Sequence, residues 1–483
     1  MSLTPTVVRH ADDTSGPLTT WSATSLHRAL HAGDVSAREV VGAFLDRIDE
    51  LNPRINAVVS RLPAEAALAE ADRADARRLA GEPIGVLHGL PVAVKDLSDA
   101  AGLRTTLGSR AFADAPPAEL DAPFVARMRA AGAIVVGKTN AAEYGVGALA
   151  HNEVFGVTRN PYDLDRHSGG STGGAAAVAA DLLPFSDGSD SGGSIRVPAA
   201  FCNVVGLRTT LGVVPGKGHA NCWDPHAVQG PMARDSRDAA LLLAGMSGAD
   251  PANPTSWWST PTAPVETGAW GDAPVRLAWS DDLGGVPVSA EMRAAMAATR
   301  ALLEGAGVEV VDVALDLSEA DFAWPVIEKF DLMGWGGPQV LARPDLYGAE
   351  MVRNVREATA LEPGQLGYAK HLRYTLYART AAALVGFDAL VAPTTPVVAP
   401  PAEATSVWEV DGSPLERYYD WQALATRLAL TAHPVLALPA GFTTSGLPYG
   451  MQLAGPLGSD RRLLALGDRL ESILGVHRVR PVL

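Results

Sequence analysis

The chain has 483 residues, a formal net charge of −15 and two cysteines, Cys202 and Cys222. Its length is enough to bury a large core, its acidity predicts repulsion from nucleic acid and anionic membrane surfaces, and two cysteines in so long a chain exclude a disulfide framework. With 47% hydrophobic and 19% charged residues, no run of about 18 apolar residues and no signal-like apolar core near Met1, the sequence reads as a globular protein of a reducing, cytoplasmic compartment without a membrane partner.

Residues 1–19 are polar and read as a flexible arm. Helical spacing begins after the cap candidate Ser22 with Leu26 and Leu30. It resumes after the Ser36–Glu39 capping pair with Val40, Val41, Phe44, Leu45 and Ile48, in a helix expected to stop before Pro53. Residues 64–80 predict a third helix with a charged outer face. From Pro83 the pattern changes: Leu90 to Lys95 is a short apolar strand ending in a charge, a helix follows over 120–131, and Ala133–Val136 is the next strand.

Further strand-like pieces lie around Val204, Leu277, Val310, Leu390, Leu436 and Met451, with a helix over 290–305. Residues 249–275, rich in Pro, Trp, Ser and Thr, form a loop, and 320–385 carry helical spacing that predicts a cap over a site. Apolar strands alternating with helices predict an α/β fold, in which residues 20–483 form one large domain with a mixed, mostly buried, twisted sheet covered by helices on both faces.

Glycine and serine concentrate between His167 and Pro198. A first cluster spans Gly169–Gly174, a second Gly188–Ser194, and Ala175–Leu183 between them is a helix former. Glycine at that density loses chain entropy on folding, which implies backbone in left-handed conformations or N–H groups that must approach something closely. A P-loop is excluded, because no lysine closes either cluster.

A serine there is a weak nucleophile and needs a base. His167, His219, His226 and His433 are candidates, although none belongs to a G-x-S-x-G elbow, and His433 lies in an apolar strand context that suits a packed imidazole. Lys95 is the other candidate: burial at the end of an apolar strand lowers a lysine's pKa and makes it a base.

The segments GLPVAVKD around Lys95, GGSTGG at 169–174 and DSGGSIR at 190–196 resemble the amidase signature family, as do GKTNAAEY at 137–144, FGVTRNPYD at 155–163, VVGLRTTLGVVP at 204–215, GPMARDSRD at 230–238, APTTP at 392–396 and PYGMQLAGP at 448–456. The resemblance runs in order from about residue 24 to the end. It implies a Ser-cisSer-Lys triad with Ser194 as nucleophile, Ser171 as a proton relay on a cis peptide bond and Lys95 as general base. Thr172 stands where the family most often has a second serine. Backbone N–H groups of Ser191, Gly192, Gly193 and Ser194 are the expected oxyanion donors. Gly170, Thr172, Asp190 and Arg196 are expected to hold the two loops, and Asn140, Glu143 and Asn152 to orient neighbouring ones.

The family needs no metal and no cofactor, and a homodimer is the family-based expectation. The function implied is hydrolysis of the amide bond of a small, uncharged or apolar acyl, aryl or lactam substrate through an acyl-enzyme. Alternatives are a carbamate or ester hydrolase, the glutaminase subunit of a tRNA-dependent amidotransferase, and a catalytically silent scaffold. An aspartate-bearing C-terminal motif helps the glutaminase subunit to select glutamine, whereas WQALATRLALTAHP at 421–434 lacks that acid. Tyr144, Cys222, Trp223, Trp324, Phe330 and Trp335 are the expected walls of the substrate pocket. The expected partner is a small-molecule amide, with no nucleic acid.

Overall fold

The computed structural model describes residues 7, 8, 14–216, 223, 226–251 and 253–483, so most of the arm expected over 1–19 lies outside the described residues. Ser22 caps α1 (Ala23–Ala32) by accepting the Ser25 N–H at 3.0 Å, and Ser36 with Glu39 forms the capping box of α2 (Ala37–Ile55). α2 runs through Pro53 instead of stopping before it. The proline sits in the last turn, where it deletes a single helical bond, and the helix closes at Asn56, left-handed with its N–H on Asn52 O at 2.7 Å.

β1 (Val58–Arg61), α3 (Ala64–Leu79), β2 (Pro91–Lys95), α4 (Pro123–Ala130) and β3 (Ile134–Thr139) follow. β3 is the middle of a three-stranded sheet, antiparallel to β1 and parallel to β2. Every residue of β2 and β3 is buried, the two polar lysines included.

α5 (Gly174–Ala179) is shorter than expected, and the chain beyond it turns left-handed at Asp181, φ +57°. β4 (Phe185–Asp190) takes up Gly188, Ser189 and Asp190, so half of the second glycine-serine cluster is strand and only 191–195 turn. Pro198 lies in the first turn of α6 (Arg196–Phe201), where an N–H has no helical acceptor to lose.

The strands β5 (Val205–Arg208), β6 (Val228–Ala233), β7 (Arg276–Trp279), β8 (Glu309–Asp312), β9 (Ala389–Pro393), β10 (Val435–Phe442) and β11 (Pro448–Ala454) join β4 in an eight-stranded sheet. Its order is β8-β7-β9-β11-β10-β5-β6-β4. β7 runs parallel to β8 and β9, and the remaining pairs are antiparallel. β4 and β6 are not among the expected strands, because glycine and polar residues mask their alternation.

α7 (Ser236–Met246), α8 (Ala290–Gly305) and α13 (Asp460–Leu474) pack on this sheet, as does α6. Residues 320–385 form α9 (Ala320–Ala342), α10 (Ala349–Ala358) and α11 (Pro363–Ala383), with α9 packed on the other two and on α12 (Ala423–Leu430). The described part of 249–275 has no helix or strand. The whole is a single large α/β domain whose mixed, largely buried sheet is flanked by helices. Among the described residues no helix is long and apolar enough to cross a membrane.

Candidate active site

Strand alternation explains how Lys95 meets its partners. In β4 the side chains of Asp187 and Ser189 share one face while Ser186, Gly188 and Asp190 share the other. β2 lies against the first of these faces: the Lys95 N–H donates to Asp187 Oδ1 at 2.9 Å and Nζ reaches Ser189 Oγ at 3.0 Å and Ser189 O at 3.2 Å. The same Nζ lies 2.9 Å from Ser171 Oγ. Burial lowers the lysine from 10.5 to about 7, against the opposing pull of Asp187 and Asp190. A lysine so placed is neutral in a large fraction of molecules at pH 7.

Ser171 is presented by a turn that only glycine can make at two positions. Gly169 has φ +84° and Gly170 φ +52°, and a Cβ on either would run into Phe201 or Pro198 of α6. The two glycine-serine segments are thus packed directly on each other. No cis peptide bond occurs among the described residues, Ser171 included, although the resemblance implies one there. Thr172 bridges to Ala141, and Asn140 O accepts the Gly173 N–H at 2.8 Å. Asn152 Nδ2 donates to Asn140 Oδ1 and to Ala141 O, both at 2.7 Å. These contacts tie the first loop to the end of β3. Glu143 accepts the Gly348 N–H at 2.7 Å and so joins this region to the start of α10.

The second loop is organised by Asp190. Its carboxylate takes Arg196 Nε and Nη2, each at 3.0 Å, together with the N–H groups of Gly193 at 2.8 Å and Ile195 at 3.2 Å. Arg208 stands 3.6 Å away. Burial alone would raise this carboxyl, but Arg196, Arg208 and the Gly193 N–H outweigh it and hold it at about 2. Arg196 also donates to Gln452 Oε1 at 2.7 Å and Ala425 O at 2.9 Å. One expectation changes as a result. The Gly193 N–H is committed to Asp190, which leaves Ser191, Gly192 and Ser194 as the candidate oxyanion donors.

Removing Arg196 takes the two-pronged guanidinium partner from a buried carboxylate, and breaking such a pair typically costs about 3–5 kcal/mol. Arg196→Ala is therefore expected to lower unfolding free energy by that order in denaturant titrations. A loss below about 1 kcal/mol, the scale of an exposed pair, would mean that the pair does not hold the loop.

Of the candidate histidines, those that are described are buried and held neutral. His167 is buried, its Nδ1 accepts the Gly169 N–H at 3.1 Å, and burial lowers it to about 3. Burial lowers His433 to about 4, and its ring stacks on Tyr377 at 5.0 Å. His226 is also pushed well down by burial. His219 lies outside the described residues.

The expected pocket walls separate into those that gather at the loops and those that do not. Trp324 Nε1 donates to Ser191 O at 2.9 Å, and its ring packs on Gly192 and lies 5.2 Å from Tyr419. Tyr144 contacts Trp335 at 4.8 Å, and Gly145 beside it faces Ser171 Oγ. At about 100° per residue, Trp324 and Trp335 share one face of α9, whereas Phe330 points some 120° away and is 43% exposed. Trp223 is 79% exposed. Phe330 does not join the aromatic groups at the loops, and Cys222 lies outside the described residues.

Three groups at the site were not expected from the sequence. Asp187 and Ser189 become visible only once 185–190 is read as a strand. Glu328, one turn after Trp324 on the same face of α9, brings its carboxyl to the Ser191 side chain and to within 3.4 Å of His226 Nε2. Burial, then the charge of Asp331, raises it to about 8.

Known proteins resemble this chain along most of its length. The profile of the family described as Amidase matches residues 39–464. A glutamyl-tRNA(Gln) amidotransferase subunit of Halorhodospira halophila is 35% identical, over 94% of this chain and 97% of the relative. An acylamidase of Rhodococcus erythropolis is 32% identical, over 94% and 95%. The crystal structure of a bacterial aryl acylamidase of the amidase signature family superposes with a TM-score of 0.85 at 27% identity, covering 97% of this chain and all of the other.

Six further relatives carry the same amidotransferase name. They overturn the expectation of a small-molecule partner set free of nucleic acid. Net charge speaks to phosphate contact by the chain itself and is silent about any larger assembly in which that chain works.

Proposed function

The chain belongs to the amidase signature family of Ser/Lys hydrolases, and from that premise we propose that Lys95, Ser171 and Ser194 carry its chemistry. The observation that carries the assignment is the 2.9 Å contact between Lys95 Nζ and Ser171 Oγ at a wholly buried lysine. Neutral Lys95 takes the proton of Ser171, Ser171 takes that of Ser194, and Ser194 Oγ attacks the amide carbonyl. The N–H groups of Ser191, Gly192 and Ser194 receive the developing oxyanion. The relay run backwards protonates the leaving nitrogen, and water then releases the acyl group from Ser194.

For the substrate, the relatives support the side-chain amide of glutamine, cleaved by a glutaminase subunit of a tRNA-dependent amidotransferase, better than the small apolar amide expected from the sequence. A second reading, an aryl or acyl amide, draws support from the aromatic groups at both loops and from the missing acid in 421–434. A cytoplasmic setting belongs to either. The test is hydrolysis of glutamine, asparagine, anilides, carbamates and cyclic amides, with product masses recorded. Ammonia release from glutamine in preference to the rest supports the first reading, cleavage of anilides without glutamine supports the second, and no amide cleavage at all contradicts both.

A further inference from the structure

We propose that Asp187 is a positioning residue whose negative charge sets the pH at which Lys95 becomes a base, through a buried array of Lys95, Asp187 and Lys138. The mechanism just given leaves this carboxylate without a role, yet it is completely buried. Oδ1 accepts the Lys95 N–H, while Oδ2 has no hydrogen-bond partner although it is shielded from solvent. An unpaired buried carboxylate oxygen is expensive and calls for an explanation.

The explanation lies in what surrounds it. β3 runs parallel to β2 with Lys138 opposite Val94, and Lys138 is completely buried. The charge of Asp187 acts on both lysines, and theirs on it. The other charged groups facing this array are accounted for. Lys138 pairs with Asp96 at 3.6 Å, donates to Ser98 O and Thr105 Oγ1, and feels Asp99. Asp190, whose charge also reaches Lys95, is neutralised on the opposite face of β4 by Arg196 and Arg208. Of the two carboxylates whose charge reaches Lys95, Asp187 is therefore the one not consumed by an arginine. Burial lifts it to about 6, against the Lys95 N–H and the two lysines, so it is charged where Lys95 is called on to accept a proton.

A merely structural Asp187 would be replaceable, since an asparagine Oδ1 accepts the same backbone N–H. The charge is what Asp187→Asn removes. With it gone, protonated Lys95 loses stabilisation. The acidic limb of the kcat/KM profile is then expected to move to lower pH by about one unit, with a lower plateau as the base weakens. A folded Asp187→Asn enzyme whose acidic limb stays in place would overturn the proposal. Should that variant not fold, the unmodified protein decides: the Asp187 carboxyl carbon, followed by NMR, is expected to titrate near pH 6. A carboxyl still protonated throughout the range in which activity rises would contradict it.

Discussion

Ser194→Ala lowers kcat/KM for any amide substrate by about 10⁴-fold or more, because it removes the atom on which the acyl-enzyme forms. The same change leaves the fold intact. Ser194 lies in the 191–195 turn, and the loop is held by the Asp190 carboxylate and Trp324, neither of which uses the Ser194 hydroxyl. Circular dichroism and a thermal melt should match the unmodified protein within about 1 kcal/mol, the scale of one hydroxyl's contribution. Undiminished turnover in Ser194→Ala would remove Ser194 from the mechanism.

Lys95→Met separates activity from stability. The lysine is held at about 7 in the fold and near 10.5 when unfolded, so the unfolded chain binds the extra proton and burial of Lys95 weakens the fold. That penalty is complete below pH 7 and fades as the pH rises from 7 toward 10.5, by about 1.4 kcal/mol per pH unit. Lys95→Met is therefore expected to raise Tm at pH 6 by several degrees while turnover falls about a thousandfold or more. Full turnover in this variant would return the base to a histidine, and a lower Tm would mean that the contacts of Nζ with Ser171 and Ser189 outweigh its burial.

What could be read in the sequence and what could not follow from range. Caps, apolar strands and the order of the signature motifs are local; they led to the correct fold class and, through the family resemblance, to Lys95, Ser171 and Ser194 as the candidate set. The glycines of the first cluster were read as positions of special backbone, and Gly169 and Gly170 are such positions, pressed against α6. Which N–H groups remain available is a tertiary fact. Gly193 looked like a donor until Asp190 took its hydrogen.

The same holds for the charged residues. Asp187 reads as one more polar residue in a glycine-serine loop, and its contact with Lys95 spans 92 positions of the chain. Glu328 is separated from Ser191 by more than a hundred residues, and its relation to Trp324 follows only from the helical phase of α9. That phase also decides why Trp335 gathers at the site and Phe330 does not. Substrate preference was the least legible property, since its determinants come from several distant elements.

In the proposed relay Ser194 is activated by Lys95 through Ser171. A fluorophosphonate, which traps an activated serine, tests it most directly when the modified residue is mapped by peptide mass spectrometry and the rate is followed against pH. The relay should give one adduct, on Ser194, forming faster as the pH rises through about 7 and lost in Lys95→Met. An adduct on another residue, or an unchanged labelling rate in Lys95→Met, would contradict it.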